Sequence, residues 1–262
     1  MAAAGLWPQR LQSAVGSGPA VATGTVFEDV SGTGVRQAGT PGLSGVMVSN
    51  GRDVVLTDEE GRFALQVDPG DSLFVIKPPH WTLAPKVGGC FPFTYLHLPE
   101  GMLPQSIDFP LRQTREPSRF DALLFADVQP SNAAELGYFA DLLRDSVRGT
   151  GAAFALNHGD VMGDDLSLYP AYRSVVGETG IPWHHCPGNH DMNVDSVGPQ
   201  QAFETWKREI GPTHYAFRYA GATFILLNNV DYAGHGRSFP CGRGYRGLIG
   251  ERQLSFVENV DR

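Results

Sequence analysis

The sequence predicts an α/β protein in two parts, a small N-terminal β-sandwich followed by an α/β domain with parallel strands. In residues 23–77, short strand-like runs alternate with turn signals such as Asn50-Gly51 and Pro69-Gly70, a pattern typical of a small sandwich. In residues 120–262, short apolar runs alternate with helical patterns, and three of these runs end in a polar turn. That alternation is typical of strand–helix–strand units.

The first part contains five strand candidates, at residues 25–27, 45–49, 53–57, 62–67 and 73–76. Residues 1–22 are small and rich in Ala and Gly, and we expect them to be unstructured. Residues 78–119 contain eight prolines. Because proline disrupts the interior of both helices and strands, we predict that this segment is a connector between the two domains.

Three polar turns follow strand-like runs in the second part. The first turn, residues 126–129, carries Asp127 and Gln129; the second, residues 158–164, carries Asp160 and Asp164; the third is Pro187-Gly188-Asn189-His190-Asp191. A helix is predicted over 132–147, with Asn132 as its N-cap. The turns are roughly 30 residues apart, the length of a strand–helix–strand unit, so we expect them to meet at the carboxyl ends of neighbouring parallel strands.

The side chains of these turns suit a metal centre that acts on a phosphoester. Carboxylate and amide oxygens with imidazole nitrogens bind divalent ions such as Zn, Mn or Fe. Two such ions about 3.5–4 Å apart can hold the attacking and leaving oxygens of an in-line displacement.

The three turns, in this order, resemble the calcineurin-like metallophosphoesterase family. Its pattern is an Asp-x-His turn, a Gly-Asp turn, Gly-Asn-His-Asp/Glu, a later His and a Gly-His-x-His. The third turn matches fully, and the first has Gln129 where His is usual. The resemblance covers about residues 119–262 and implies two β-sheets flanked by helices. Residues Thr57-Asp58-x-x-Gly61-x-Phe63 resemble prealbumin-type and carboxypeptidase-regulatory-like modules, which precede the catalytic domain in one bacterial branch of the family.

The resemblance implies two divalent metal ions (Mn, Fe or Zn). Asp127 would bind the first metal ion, with Gln129 as a weak ligand or outer partner. Asp160 would bridge both ions, and Asn189 would bind the second.

The resemblance also implies the catalytic roles. His190 would protonate the leaving alkoxide or stabilise the charge on the phosphoryl group, and Asp164 would orient the His190 imidazole. Asp191 is expected to hold its own turn.

The family pattern includes further His ligands downstream, where this sequence has only His214 and His235. His214 opens a strand and is expected to pack, whereas His235 is half of a Gly-His-x-His. His184 and His185 lie inside the third strand and are expected to be structural. An amphipathic helix over 251–262 has no stop signal, so we expect the chain to be C-terminally truncated and its activity to be impaired.

Composition excludes several classes of partner. The net charge is −8 with no basic run, which argues against bulk nucleic-acid binding. The three cysteines form no disulfide framework, and no apolar run is long enough to span a membrane. The N-terminus lacks the basic start and apolar core of a secretory signal, although the resemblance implies a periplasmic or secreted protein.

The expected function is metal-dependent hydrolysis of a phosphomonoester or phosphodiester. One alternative is a catalytically inactive binding protein that works through its β-sandwich. Another is a mononuclear hydrolase that uses Asp127, Asp160, Asn189 and His235.

Overall fold

A computed structural model of the chain describes residues 20–83, 95–99, 106–147, 149–193, 195–235 and 243–261, without the side chains of His235 and Arg243. It confirms the predicted fold class, with a β-sandwich followed by a mixed α/β part. Most of the segment predicted to be unstructured lies outside the described residues, and the first strand begins at Ala20. Within the described ranges, no helix has the length and apolar character needed to cross a membrane.

In the described part of the chain, eight strands form the sandwich. They are β1 (Ala20–Glu28), β2 (Met47–Ser49), β3 (Val54–Leu56), β4 (Arg62–Val67), β5 (Ser72–Val75), β6 (Trp81–Leu83), β7 (Tyr95–His97) and β8 (Phe109–Gln113). One sheet has the order β4-β1-β8-β6 and the other β3-β2-β5-β7. Phe63, Leu65 and Val67 of β4 alternate with exposed residues, as expected of a strand with one face in a core.

The predicted connector over 78–119 is corrected by the structure. Its described residues include β6, β7 and β8, which pair within the two sheets. Among the described prolines of the segment, Pro78, Pro79, Pro99 and Pro117 lie outside the strands, where a proline costs no ladder hydrogen bond. Pro110 is inside β8, where it lies opposite Phe27 of β1 in a parallel ladder. The proline content alone therefore gave the wrong boundary.

The second part begins with three parallel strands in the order β11-β10-β9: β9 (Ala122–Phe125), β10 (Phe154–Asn157) and β11 (Trp183–His185). Helix α1 (Ala133–Ser146) connects β9 to β10, and α2 (Tyr169–Gly177) connects β10 to β11. Asn132 caps α1 as predicted, since its side chain accepts hydrogen bonds from the backbone N–H groups of Ala134 and Glu135. These crossovers place the three polar turns at one edge of the sheet.

The remaining elements are α3 (Glu204–Glu209), β12 (Tyr215–Tyr219), β13 (Ala222–Leu226), β14 (Val230–His235), β15 (Arg243–Gly247) and α4 (Glu251–Val260). The strands pair as two antiparallel hairpins, β12-β13 and β14-β15. The β9–β11 sheet has a core on each face. Ala155 and Trp183 face the α1–α2 side, while Phe154 and Leu156 pack against β12, β13 and α4. Alternation along the strand places neighbouring side chains in different cores.

The sandwich packs directly on the α/β part through β5, all four of whose residues are buried. Leu73 and Val75 face the sandwich core, whereas Phe74 and Ile76 join Tyr215 and Phe256 in the core beneath the parallel sheet. A strand buried on both faces is continuously apolar rather than alternating. The sandwich is thus integrated into the fold rather than tethered beside it.

Candidate metal centre

The three polar turns meet at the carboxyl edge of the β9–β11 sheet. The first and second turns are joined by backbone hydrogen bonds from Asp127 N to Gly159 O (3.1 Å) and from Gln129 N to Asp160 O (3.1 Å). The second and third turns are joined by His190 N, which donates to Asp160 Oδ1 at 2.9 Å. Strand topology brings the turns to one edge, and these bonds set their spacing.

Backbone strain is concentrated in the first two turns. Asp127, Gln129, Asp160 and Asp164 have φ values of 52°, 42°, 49° and 79°. They are four of the six non-glycine residues with positive φ in the described part of the chain. This left-handed region is uncommon for side-chain-bearing residues, and such residues tend to cluster at functional sites.

A glycine permits the close approach of the second and third turns. A Cβ on Gly188 would lie 2.7 Å from Asp160 Cγ and closer still to Asp160 Oδ1 and to its amide nitrogen. Because the φ of Gly188 is −108°, the requirement is space rather than backbone freedom. Only a residue without a side chain lets the Asp160 carboxylate reach the amide of His190.

Gln129 joins the two carboxylates expected to bind metal. Its Nε2 donates to Asp160 Oδ2 at 3.0 Å and lies 3.4 Å from Asp127 Oδ1. One amide group therefore contacts both carboxylates, and exchanging its nitrogen and oxygen by a χ rotation would present an oxygen in the same place. The structure thus brings Asp127, Gln129 and Asp160 together as the sequence predicted.

His190 and Asp164 form a close pair. His190 Nδ1 lies 2.6 Å from Asp164 Oδ1, which is the short distance typical of a charge-assisted hydrogen bond. The two side chains keep 27% and 40% of their exposure, so the pair is accessible from solvent. A carboxylate on one ring nitrogen sets the tautomer and orientation of the imidazole.

Asn189 and Asp191 occupy the same short 3-10 turn but have different environments. Asn189 is partly exposed, whereas Asp191 is completely buried. Burial raises the pKa of Asp191 to about 6, although hydrogen bonds from Gly188, Val161, Met162 and Tyr169 act in the opposite direction.

The donor set suits a hard divalent cation but contains few charged ligands. The described residues contain no group of three or more His, Cys, Asp or Glu side chains that could hold a metal ion. The carboxylates of Asp127 and Asp160 would need amide oxygens, from Gln129 and Asn189, to complete a ligand set. Oxygen donors of this kind suit Mg or Mn better than the softer ions. The chemistry of the set therefore fits one cation more readily than two.

The histidines outside the three turns play other parts. His184 and His185 are buried, at 3% and 2% exposure, as expected of structural residues. His214 packs as predicted, and its ring Nε2 lies 2.6 Å from Gly51 O of the sandwich. The side chain of His235 lies outside the described part of the chain.

Sequence reasoning missed Tyr169, whose hydroxyl donates to Asp191 Oδ1 at 3.0 Å. A tyrosine on the apolar face of a helix gives no signal beyond packing. It also missed that Asp191 contacts the second turn as well as its own, because this contact depends on how β10 and β11 pair.

Comparison with known families gives one match. Residues 29–114 match the family described as the N terminal of calcineurin-like phosphoesterase. The match covers strands β2 to β8 of the sandwich, including the described strands β6, β7 and β8 of the segment predicted as a connector, while β1 ends just before it. No curated protein was found to match the chain.

Proposed function

We propose that the α/β part of the chain hydrolyses a phosphomonoester or phosphodiester in a metal-dependent reaction, because residues 29–114 match the N-terminal region of calcineurin-like phosphoesterases. The proposed metal ligands are Asp127, Asp160 and Asn189, with Gln129 as a weaker partner. The proposed proton donor is His190, oriented by Asp164.

One observation carries this proposal. The backbone N–H of His190 donates a hydrogen bond to the Asp160 carboxylate, while Nδ1 of its ring is hydrogen-bonded to the Asp164 carboxylate. An imidazole able to donate a proton is therefore held beside the carboxylates that would bind metal. Phosphoester hydrolysis requires this combination, since a leaving alkoxide needs a proton while charge builds up on the phosphoryl oxygens.

When bound, a divalent cation supplies charge that stabilises the phosphoryl oxygens and activates the attacking water. The oxygen-rich donor set leads us to propose Mn²⁺ as the preferred ion. Two ions per chain remain the prediction from the family resemblance. A titration of Mn²⁺ against the protein would decide between one equivalent and two.

The protein's own groups have separate tasks in this proposal. His190, as an imidazolium with a proton on each ring nitrogen, donates its Nε2 proton to the leaving oxygen as the P–O bond breaks, and Asp164 accepts from Nδ1–H and stabilises that cation. Asp160 holds its carboxylate in place through the bond from His190 N, so the acid and the metal ligand move as one unit. Alignment of this kind contributes to rate because the reacting groups need no reorganisation.

The first experiment measures turnover of bis(p-nitrophenyl) phosphate and p-nitrophenyl phosphate with Mn²⁺ and with EDTA. We expect Mn²⁺-dependent turnover that Asp160→Asn abolishes. Asp141→Asn is the matched control, because Asp141 is an exposed residue of α1 whose partner is Arg144. Equal activity in EDTA, or in Asp160→Asn, would contradict the proposal.

A second experiment tests the acid. A phenolate leaves less readily than a p-nitrophenolate and depends more on a proton donor. We therefore expect His190→Ala to slow phenyl phosphate hydrolysis by roughly 10²–10⁴-fold and p-nitrophenyl phosphate hydrolysis much less. Equal losses on the two substrates would assign His190 to charge stabilisation instead.

The alternative of an inactive binding protein predicts a different outcome. Its support is the replacement of the usual first-turn His by Gln129 and the lack of a group of three or more His, Cys, Asp or Glu ligands among the described residues. No Mn²⁺ uptake and no turnover by the wild-type protein would favour it.

A further inference from the structure

The second and third turns are linked by reciprocal hydrogen bonds, in which an aspartate carboxylate of each turn accepts backbone N–H groups of the other. Asp160 of the second turn accepts a hydrogen bond from His190 N of the third. In the opposite direction, Asp191 of the third turn accepts hydrogen bonds from Val161 N (3.0 Å) and Met162 N (3.1 Å) of the second. Each turn is therefore held by an aspartate that belongs to the other.

The Asp191 carboxylate is fully used in this arrangement. Its Oδ2 accepts from Val161 N and from Gly188 N (2.8 Å), and its Oδ1 accepts from Met162 N and from Tyr169 OH (3.0 Å). The side chain has no exposure to solvent. It cannot touch a substrate, so any effect on the reaction must pass through the groups that it holds.

Those groups flank the candidate metal ligands. Val161 and Met162 directly follow Asp160, while Gly188 directly precedes Asn189. We propose that Asp191 is a positioning residue of the metal centre, which sets the distance between Asp160 and Asn189 by holding both of their turns on one carboxylate. This inference rests on the proposed metal-dependent function and extends it to a residue outside the ligand set.

A carboxylate suits this role, whereas an amide of the same size does not. An ionised aspartate offers acceptor oxygens on both sides, and the four surrounding groups are all donors here. In Asp191→Asn, one side becomes an NH₂ group, which would face two donors in either orientation. We call the four hydrogen bonds that Asp191 accepts the clamp. The variant keeps the shape of the side chain and removes half of the clamp.

Binding of Mn²⁺, measured by electron paramagnetic resonance of the free ion, is the first test. We expect Asp191→Asn to weaken Mn²⁺ binding by about 10–100-fold, the usual effect of losing an outer partner of a metal ligand. Tyr169→Phe removes one donor of four and should change the affinity by less than about 3-fold. Val176→Ala, which cuts a fully buried side chain in the same core, should lower the unfolding free energy and leave Mn²⁺ affinity unchanged.

Two results would overturn the assignment. One is Mn²⁺ affinity in Asp191→Asn equal to that of the wild type. The other is an equal loss of affinity in Val176→Ala at matched destabilisation, which would make the effect a consequence of general instability.

Amide hydrogen exchange in metal-free protein provides a test that does not depend on turnover or on the variant folding. In the wild type, the amides of Val161, Met162 and Gly188 should exchange slowly although they lie in turns. Fast exchange at these three amides would refute the clamp. If the wild type binds no Mn²⁺ but the amides are protected, the proposed function fails and the link between the turns stands.

Discussion

A single methyl group at Gly188 is the most direct perturbation of the candidate metal centre. Gly188 packs against the Asp160 side chain, and a Cβ there would lie well inside the 3.0 Å that real Cβ contacts respect, with Asp160 Oδ1, Cγ and the amide nitrogen all in conflict. Neither backbone can move freely, because the turns are joined through His190 N and through Asp191. The substitution Gly188→Ala must therefore displace the Asp160 carboxylate.

The size of the effect follows from this overlap. Restoring ordinary contact requires a displacement on the order of 1 Å, and a misplacement of that size lowers the rate by roughly 10²-fold. Overpacking of this kind also costs about 1–3 kcal/mol of unfolding free energy. Because the glycine has a φ available to any residue, none of this loss comes from backbone conformation.

The assay compares Gly188→Ala with Gly137→Ala. Gly137 lies within α1, and a Cβ there would meet nothing within 4 Å. That substitution should raise the unfolding free energy by about 0.5–1 kcal/mol, because alanine favours the helix. Urea unfolding, Mn²⁺ affinity and turnover are measured for both variants. Wild-type Mn²⁺ affinity and turnover in Gly188→Ala would refute the reasoning, since the carboxylate would then tolerate displacement.

Three further predictions concern the fold. Lys77→Met should lower the unfolding free energy by about 3–5 kcal/mol, because it leaves the buried Glu116 carboxylate without its ammonium partner. Urea unfolding of Lys77→Met, Glu116→Gln and the double variant should show that the two losses of unfolding free energy are coupled. Losses that simply add in the double variant would contradict this. Burial lowers the pKa of the His185 imidazole to about 3, below its unfolded value of about 6.5. The contribution of neutral His185 to the unfolding free energy is therefore fully present above about pH 6.5, and the unfolding free energy falls by about 1.4 kcal/mol per pH unit as the pH drops toward 3. An unfolding free energy from urea titration that stays constant between about pH 7 and 5 would exclude this effect. Asn132→Ala should cost about 1 kcal/mol by removing the cap of α1, with no change in Mn²⁺ affinity, and an unchanged urea midpoint would show that the cap is dispensable.

Local patterns in the chain were enough to predict the three strands and the first helix that carry the candidate site, together with the polar residues of its turns. The strand-like runs before Asp127, Asp160 and Asn189 became β9, β10 and β11, and the Asn132 cap starts α1 as expected. These features depend on residues close in sequence, where hydrophobic period and capping chemistry act. The same local patterns predicted that the three turns would meet, because the carboxyl ends of parallel strands joined by helices lie at one edge of the sheet.

The domain boundary and the supports of the candidate site could not be predicted in this way. Proline content suggested a connector, but the strands β6, β7 and β8 form because their apolar residues complete the sandwich core. The second face of β5 is buried by residues more than 130 positions away, which no local period reveals.

The clamp on Asp191 shows the same division at the level of one residue. The family resemblance led us to expect that Asp191 would hold its own turn, and its carboxylate does accept the N–H of Gly188. Its bonds to Val161, Met162 and Tyr169 exist only because β11 pairs beside β10 and α2 packs over that edge. Local sequence thus specified which groups the turns carry, while long-range packing specified their spacing, because hydrogen bonds between distant segments form only when the whole sheet brings them into register.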